Sequence, residues 1–158
     1  MNLKEELGLR TGFSIVEHEA LLNIYYTASL LRKKAADFFK DYDITDVQFN
    51  VLELLHHQGR PEGGLTQVEL SRMLLVNRSN ITAIIDRMEH SGFVTREDVP
   101  GDRRCHVIRI TPLGQETLRR IEPRYITEVR AVMAPLSPAD LKSIIRVMGR
   151  IREGIRKE

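Results

Sequence analysis

Between positions 78 and 87 the sequence RSNITAIIDR offers Arg78, Ser79, Asn80, Thr82 and Arg87, cationic and hydrogen-bonding side chains spaced to share one side of a helix. Arginine and asparagine present paired donors and acceptors to base edges, while hydroxyls and arginines hold phosphate oxygens. The chemistry expected of such a face is recognition of a duplex, not the making or breaking of bonds. Asn80 suits an adenine edge, and Arg78 a guanine or a phosphate. Asp86 and Arg87 stay open between a surface ion pair and, for Arg87, a phosphate contact. Thr66, at the head of the preceding helix, joins the candidate set. Farther on, Arg103 and Arg104 follow the turn sequence Pro100-Gly101-Asp102, which places two cations near the tip of an expected hairpin. A cationic projection of that kind suits a narrow, electronegative minor groove.

The elements that must position these residues are marked by local signals. Thr66 with Glu69 forms a capping box, flanked by Leu65 and Leu70 as a hydrophobic staple, so a short helix is expected from Gln67 to near Leu75. Asn77 then supplies an N-cap, with Val76 and Ile81 as staple, for a second helix beginning at Arg78. In that helix Ile81, Ile84, Ile85 and Met88 recur as one buried face, and Gly92 reads as the residue that stops it. Two β-rich runs follow, Phe93 to Asp98 and Cys105 to Thr111. A helix-turn-helix beside an arginine-tipped hairpin is a winged helix.

With these residues in view, the chain resembles the multiple antibiotic resistance regulator (MarR) family of bacterial transcription factors. The family's wing signature, Asp-x-Arg followed by an aliphatic-x-aliphatic-Thr, is matched by Asp102, Arg104, Ile108, Ile110 and Thr111, with isoleucines where valine and leucine are commoner. The stretches VNRSNITAIIDRMEHSGFVTRE and ITDVQFNVLELL are also similar to the family. The resemblance implies that a wing arginine enters the minor groove while the signature aspartate braces the wing. By position these are Arg103 or Arg104, with Arg103 preferred as the probe, and Asp102. It further implies a repressor relieved by a small-molecule effector bound between dimerisation helices and the DNA-binding lobe, where Tyr25, Phe38, His56 and Tyr125 are candidate lining residues. His57, adjacent to His56, cannot face the same pocket from a regular helix.

Composition sets limits. The chain has 158 residues, 42% of them hydrophobic, enough for one domain or a small domain with an oligomerisation region. Lys+Arg of 24 against Asp+Glu of 22 is a near balance, so charge placement, not bulk charge, must carry any DNA affinity. Arg72 joins the cations on the reading side, whereas Glu17, Glu19 and Asp140 lie elsewhere. Neither a signal-peptide pattern nor a long apolar run is present, and a cytoplasmic protein without a membrane partner is expected. The single cysteine, Cys105, is read as a packed strand residue in preference to a redox switch. His18, His56, His57, His90 and His106 have no ligand spacing for a metal, and no cofactor is expected. Without a glycine-rich phosphate loop, nucleophile elbow or paired metal motif, an enzyme is not expected either. The competing classes are a winged helix serving protein contacts without DNA, and a thiol- or metal-responsive regulator.

The remaining sequence supplies long helices. After an arm to about Gly12, Ser14 with Glu17 predicts a capped helix to Lys40, striped by Ile24, Ala28, Leu31, Ala35 and Phe38. Thr45 with Gln48 caps a helix from Asp46 to about His57. Thr111 and Pro112 open another, in which Pro123 predicts a kink near Glu122. Ser137, Pro138 and Asp140 open the last, whose Leu141, Ile144, Met148, Ile151 and Ile155 approach a heptad seam. Stripes this broad on both ends exceed what one small lobe can cover, and a second copy of the chain is the expected partner. The expected fold is therefore mainly α with a small β-hairpin wing: a dimerisation helix and arm over 1–40, a winged helix-turn-helix lobe over 41–111, and dimerisation helices over 112–158. Two-fold symmetry then predicts a pseudo-palindromic site on double-stranded DNA, with half-sites about 10 base pairs apart or a multiple of that.

Overall fold

Capping boxes begin three of the helices where the sequence marks them. The computed structural model of the chain describes residues 2–59, 63–74, 78–99 and 102–156, with the backbone alone at 78, 99 and 102–105. In chain order the elements are α1 (Leu3–Glu6), α2 (Val16–Lys40), α3 (Asp46–His57), β1 (Leu65–Thr66), α4 (Gln67–Leu74), α5 (Arg78–His90), β2 (Val94–Val99), β3 (Asp102–Ile110), α6 (Pro112–Met133) and α7 (Pro138–Ile155). At α3 the Gln48 amide donates to Thr45 Oγ1 at 3.2 Å, and the Thr45 amide donates to Gln48 Oε1 at 2.8 Å. Thr66 with Glu69 and Ser137 with Asp140 repeat the exchange at α4 and α7. Each box satisfies backbone donors that a helix start leaves open.

The chain divides into two compact units, residues 1–115 and 116–158. In the first, a three-stranded antiparallel sheet in the order β1-β3-β2 backs the helices. Leu65 pairs with Ile108 and Thr66 with Val107, so the approach to α4 becomes the third strand. The core gathers Phe39 of α2, Phe49, Val51, Leu52 and Leu55 of α3, Leu70 of α4, and Ile81, Ile85 and Met88 of α5. Val94 and Ile108 of the sheet complete it. Phe39 and Phe49 lie with ring centroids 5.0 Å apart, which fastens the C-terminal end of α2 to this lobe. Each such burial is worth about 1.5–3 kcal/mol.

The second unit is α7 with most of α6. No residue of α7 is buried. Ile144, Ile145, Val147, Ile151 and Ile155 all stand exposed, Ile145 at 71% and Ile155 at 69%. On α2, Val16, Leu21, Tyr25, Leu30 and Leu31 are exposed as well.

Two details differ from what sequence alone predicts, the cap of α2 and the start of β3. Ser14 does not cap α2: Ile15 occupies the N-cap, without a side-chain hydrogen bond, because the helix starts one residue beyond the reach of the serine hydroxyl. The arm, expected to be loose or partly helical, contains a short helix, α1, started by an Asn2–Glu5 capping box and anchored by buried Leu3. α6 carries Pro123 within it. Strand β3 begins at Asp102, ahead of the expected Cys105. The turn at Pro100-Gly101 and the staple residue Val76 lie outside the described residues.

Two glycines are required by geometry. Gly92 has φ +75°, with its amide donating to Glu89 O and the Phe93 amide to Met88 O, the paired bonds that end a helix on a left-handed residue. A Cβ on Gly114 would stand 2.3 Å from Phe93 O and 2.8 Å from Ile110 Cγ1. Gly114→Ala should therefore destabilise the chain by about 1–3 kcal/mol in urea denaturation, despite alanine's better helix propensity, because the clash is with backbone. A neutral or stabilised variant would show that α6 can shift away from the sheet. At α7, hydrogen bonds from the Ser137 side chain and backbone hold the Asp140 carboxyl below its ordinary pKa. A depressed carboxyl pKa favours the folded cap above the ordinary carboxylate range, and that support is lost as pH falls through the lowered value. Acidification should thus release the first turn of α7, seen as a shift of the Ser137 and Asp140 amide resonances that Asp140→Asn abolishes.

Candidate nucleic-acid interface

α5 separates its residues cleanly. Ile81, Ile84, Ile85 and Met88 are buried, while Ser79, Asn80, Thr82, Ala83, Asp86 and Arg87 are exposed on the other side. The packing of the first set determines the direction of the second. With 13 residues the helix is about 20 Å long, and no acidic residue occupies its first turn. A major groove about 12 Å wide admits a helix of this girth, with small polar side chains foremost and the charged pair Asp86 and Arg87 behind. Arg72, in the last turn of α4, is exposed.

The proposed contact residues are not all alike in the structure. Thr66 is half-buried, and its hydroxyl lies 2.8 Å from Glu69 Oε2, committed to the cap of α4. Asn77 lies outside the described residues, as do the side chains of Arg78, Asp102, Arg103, Arg104 and Cys105. Their backbones place Arg78 as the first residue of α5 and the other four at the start of β3.

Pairing along the wing is regular from Val94↔Ile110 to Asp98↔His106, then jumps to Val99↔Asp102. Arg103, Arg104 and Cys105 are thereby set out of register, at the end of the wing far from the helices. Below the slip, Arg109 Nε donates to Glu97 Oε2 at 2.7 Å, and His106 Nδ1 lies 2.9 Å from Asp98 Oδ1. These cross-strand pairs brace the stem.

Sequence reasoning missed Arg96. Its Nη2 donates to Asp86 Oδ1 at 2.6 Å and its Nη1 lies 3.9 Å from Glu89 Oε2, so a guanidinium on β2 joins two carboxylates of α5. The Arg96 amide also donates to Glu89 Oε1 at 3.1 Å. Asp86 thus pairs across elements and not with its neighbour Arg87. One signal was present: Arg96 interrupts the alternation of β2, sharing the face of buried Val94.

The aromatic and histidine candidates for a ligand site are dispersed over several elements. Tyr25 is 61% exposed on α2. Phe38 is half-buried, with its ring 5.0 Å from Phe39 and 5.3 Å from Tyr42. His56 is exposed at the end of α3, edge-on to His57, and borders a cleft of about 270 Å³ with Leu55, Gly64, Arg109 and Ile110. Neither Tyr25 nor Phe38 lines that cleft, and Tyr125 belongs to the other compact unit.

Known proteins place this arrangement. The MarR family model matches residues 44–106. The HTH-type transcriptional regulator YkoM of Bacillus subtilis is 31% identical over 141 residues, covering 87% of this chain and 89% of its own length. Sco3205, a MarR family transcriptional regulator from Streptomyces coelicolor solved in complex with DNA, superposes with a TM-score of 0.81 at 28% identity, covering 92% of each chain. AbsC of the same organism shares the fold at a TM-score of 0.83 and 23% identity, covering 94% of this chain and 99% of its own.

The Arg96 bridge gives a stability prediction that needs no ligand. Asp86 and Glu89 are largely exposed, at 55% and 41% of their side chains. Asp86→Asn should consequently change the unfolding free energy by less than about 1 kcal/mol. A larger loss in thermal or urea unfolding would mean that the bridge holds the lobe together.

Proposed function

The chain belongs to the MarR family of DNA-binding transcriptional regulators, and we propose that it acts as a homodimer on a pseudo-palindromic double-stranded operator. The observation that carries this reading is the two-sidedness of α5: one side is buried, and the outward side is small and polar in its first half, with no acid in the first turn and Asp86 and Arg87 behind. Ser79, Asn80 and Thr82 enter the major groove, with Asn80 on an adenine edge and Arg78 on a guanine or phosphate. The N-terminus of α5 favours a phosphate, and Arg87 meets the backbone from the other end. Arg103 or Arg104 probes the minor groove beside the same half-site. The Thr66 hydroxyl serves through its cap, holding the start of α4 at the phosphate backbone.

The exposed apolar stripes of α2 and α7 support the dimer. Apolar patches of this extent on a solvent-facing helix mark an interface, and a second copy covers both ends by one symmetry operation. A small-molecule effector relieves repression by preferring a dimer whose reading heads are wrongly spaced. Among the described residues no helix is long and apolar enough to cross a membrane, which accords with action on DNA in the cytoplasm.

Titration against labelled duplexes, the chain's own promoter among them, tests the reading. Affinity should be sequence-selective and fall log-linearly with salt, by about 0.9 per phosphate neutralised. Arg103→Ala with Arg104→Ala should weaken binding and flatten that slope; affinity and slope both unchanged would remove the wing from the interface. Asn80→Ala should cost about 1–3 kcal/mol at one base position only. Sedimentation at micromolar concentration should give twice the 18.2 kDa chain mass, and a single-chain mass would end the case for a two-fold site.

A further inference from the structure

A strand alternates its faces, and the position two residues beyond buried Val94 is one where an apolar side chain is expected. Arg96 stands there instead, its side chain 24% exposed and its Nε buried without a hydrogen-bond partner among the described residues. An arginine set inward with an unsatisfied donor is a poor device for stability. Replacing partly buried ion pairs by apolar residues is often neutral or stabilising, and the partners Asp86 and Glu89 are too exposed to strengthen the pair much. What the guanidinium does supply is geometry. Its planar fork reaches two carboxylates one helical turn apart, and the strand amide at the same residue bonds the second of them.

We propose that Arg96 is a positioning residue for DNA recognition: it clamps the base of the wing to the C-terminal half of α5, and so sets where Arg103 and Arg104 stand relative to the outward face of that helix. Beyond Arg96 the regular pairing of β2 continues only to Asp98 before it slips, about 7 Å at strand rise. The clamp is therefore close to the irregular segment that carries the cations, and beyond Glu97 and Val107 the sheet is a two-stranded ribbon. A small rotation at Arg96 displaces the wing end while leaving α5 in place. A helix and a wing that must meet adjacent grooves of one duplex together need that angle held. The inference rests on the DNA-binding reading given above and adds to it the residue that aligns its two reading elements.

The test is a mutant cycle on the promoter duplex selected by the wild-type titration, at one fixed salt concentration. Arg96→Met should fold and dimerise as the wild type does, by circular dichroism and sedimentation, yet bind about tenfold more weakly, within the coupling range of contacting residues. In that background the pair Arg103→Ala and Arg104→Ala should cost little more, because the wing is already misaligned. Arg96→Lys should recover part of the loss, and the exchange Arg96→Asp with Asp86→Arg more of it. Should Arg96→Met fail to fold, Asp86→Asn carries the same cycle from the exposed side. Wild-type affinity in folded Arg96→Met, or wing substitutions that cost the same in both backgrounds, overturns the clamp while leaving DNA binding intact. Absence of selective binding by the wild type overturns the DNA-binding reading, and the clamp with it.

Discussion

Burial of Ile81, Ile84, Ile85 and Met88 against the lobe is the constraint from which the interface follows. A helix has one circumference, and once those four side chains are pressed inward the remaining positions have no choice of direction. Ser79, Asn80, Thr82, Ala83, Asp86 and Arg87 face outward for that reason alone. Introducing a charge into the buried set would cost far more than any outward contact returns, so the recognition surface is held by the hydrophobic effect and not by its own polar chemistry.

The wing is attached to this helix at both of its ends. Gly92 stops α5 in a left-handed turn and sends the chain directly into β2. At the return, the Thr111 hydroxyl donates to Gly92 O at 2.6 Å and accepts from the Gly114 amide at 3.0 Å, while the Thr111 amide donates to Phe93 O. One threonine thus closes the base of the hairpin and starts α6. The close approach of Gly114 to Phe93 is the steric counterpart of that closure. Between these fixed ends the Arg96 bridge ties the ribbon to α5.

The two ends of the chain have a different energetic character. α2 is anchored by Phe39 stacked against Phe49, yet much of its length, like all of α7, leaves large apolar side chains in solvent. Apolar side chains left in solvent on this scale lack the burial that stabilises a core.

Signals confined to a few consecutive residues were legible in the sequence: the boxes at Thr45, Thr66 and Ser137, the threonine and proline that open α6, the glycine that ends α5, and the periodic isoleucines. Each is decided by side chains within a turn or so of one another, whatever the rest of the chain does. Ser14 marks the limit of that reasoning, because choosing between it and Ile15 as the cap depends on where α2 lies and not on hydroxyl chemistry alone. Tertiary structure decided the pairing of Leu65 with Ile108, the slip in register between Asp98 and Val99, and the joining of Arg96 to Asp86 and Glu89. Those depend on which elements are brought side by side, and a guanidinium can meet any of many carboxylates until packing leaves it only two.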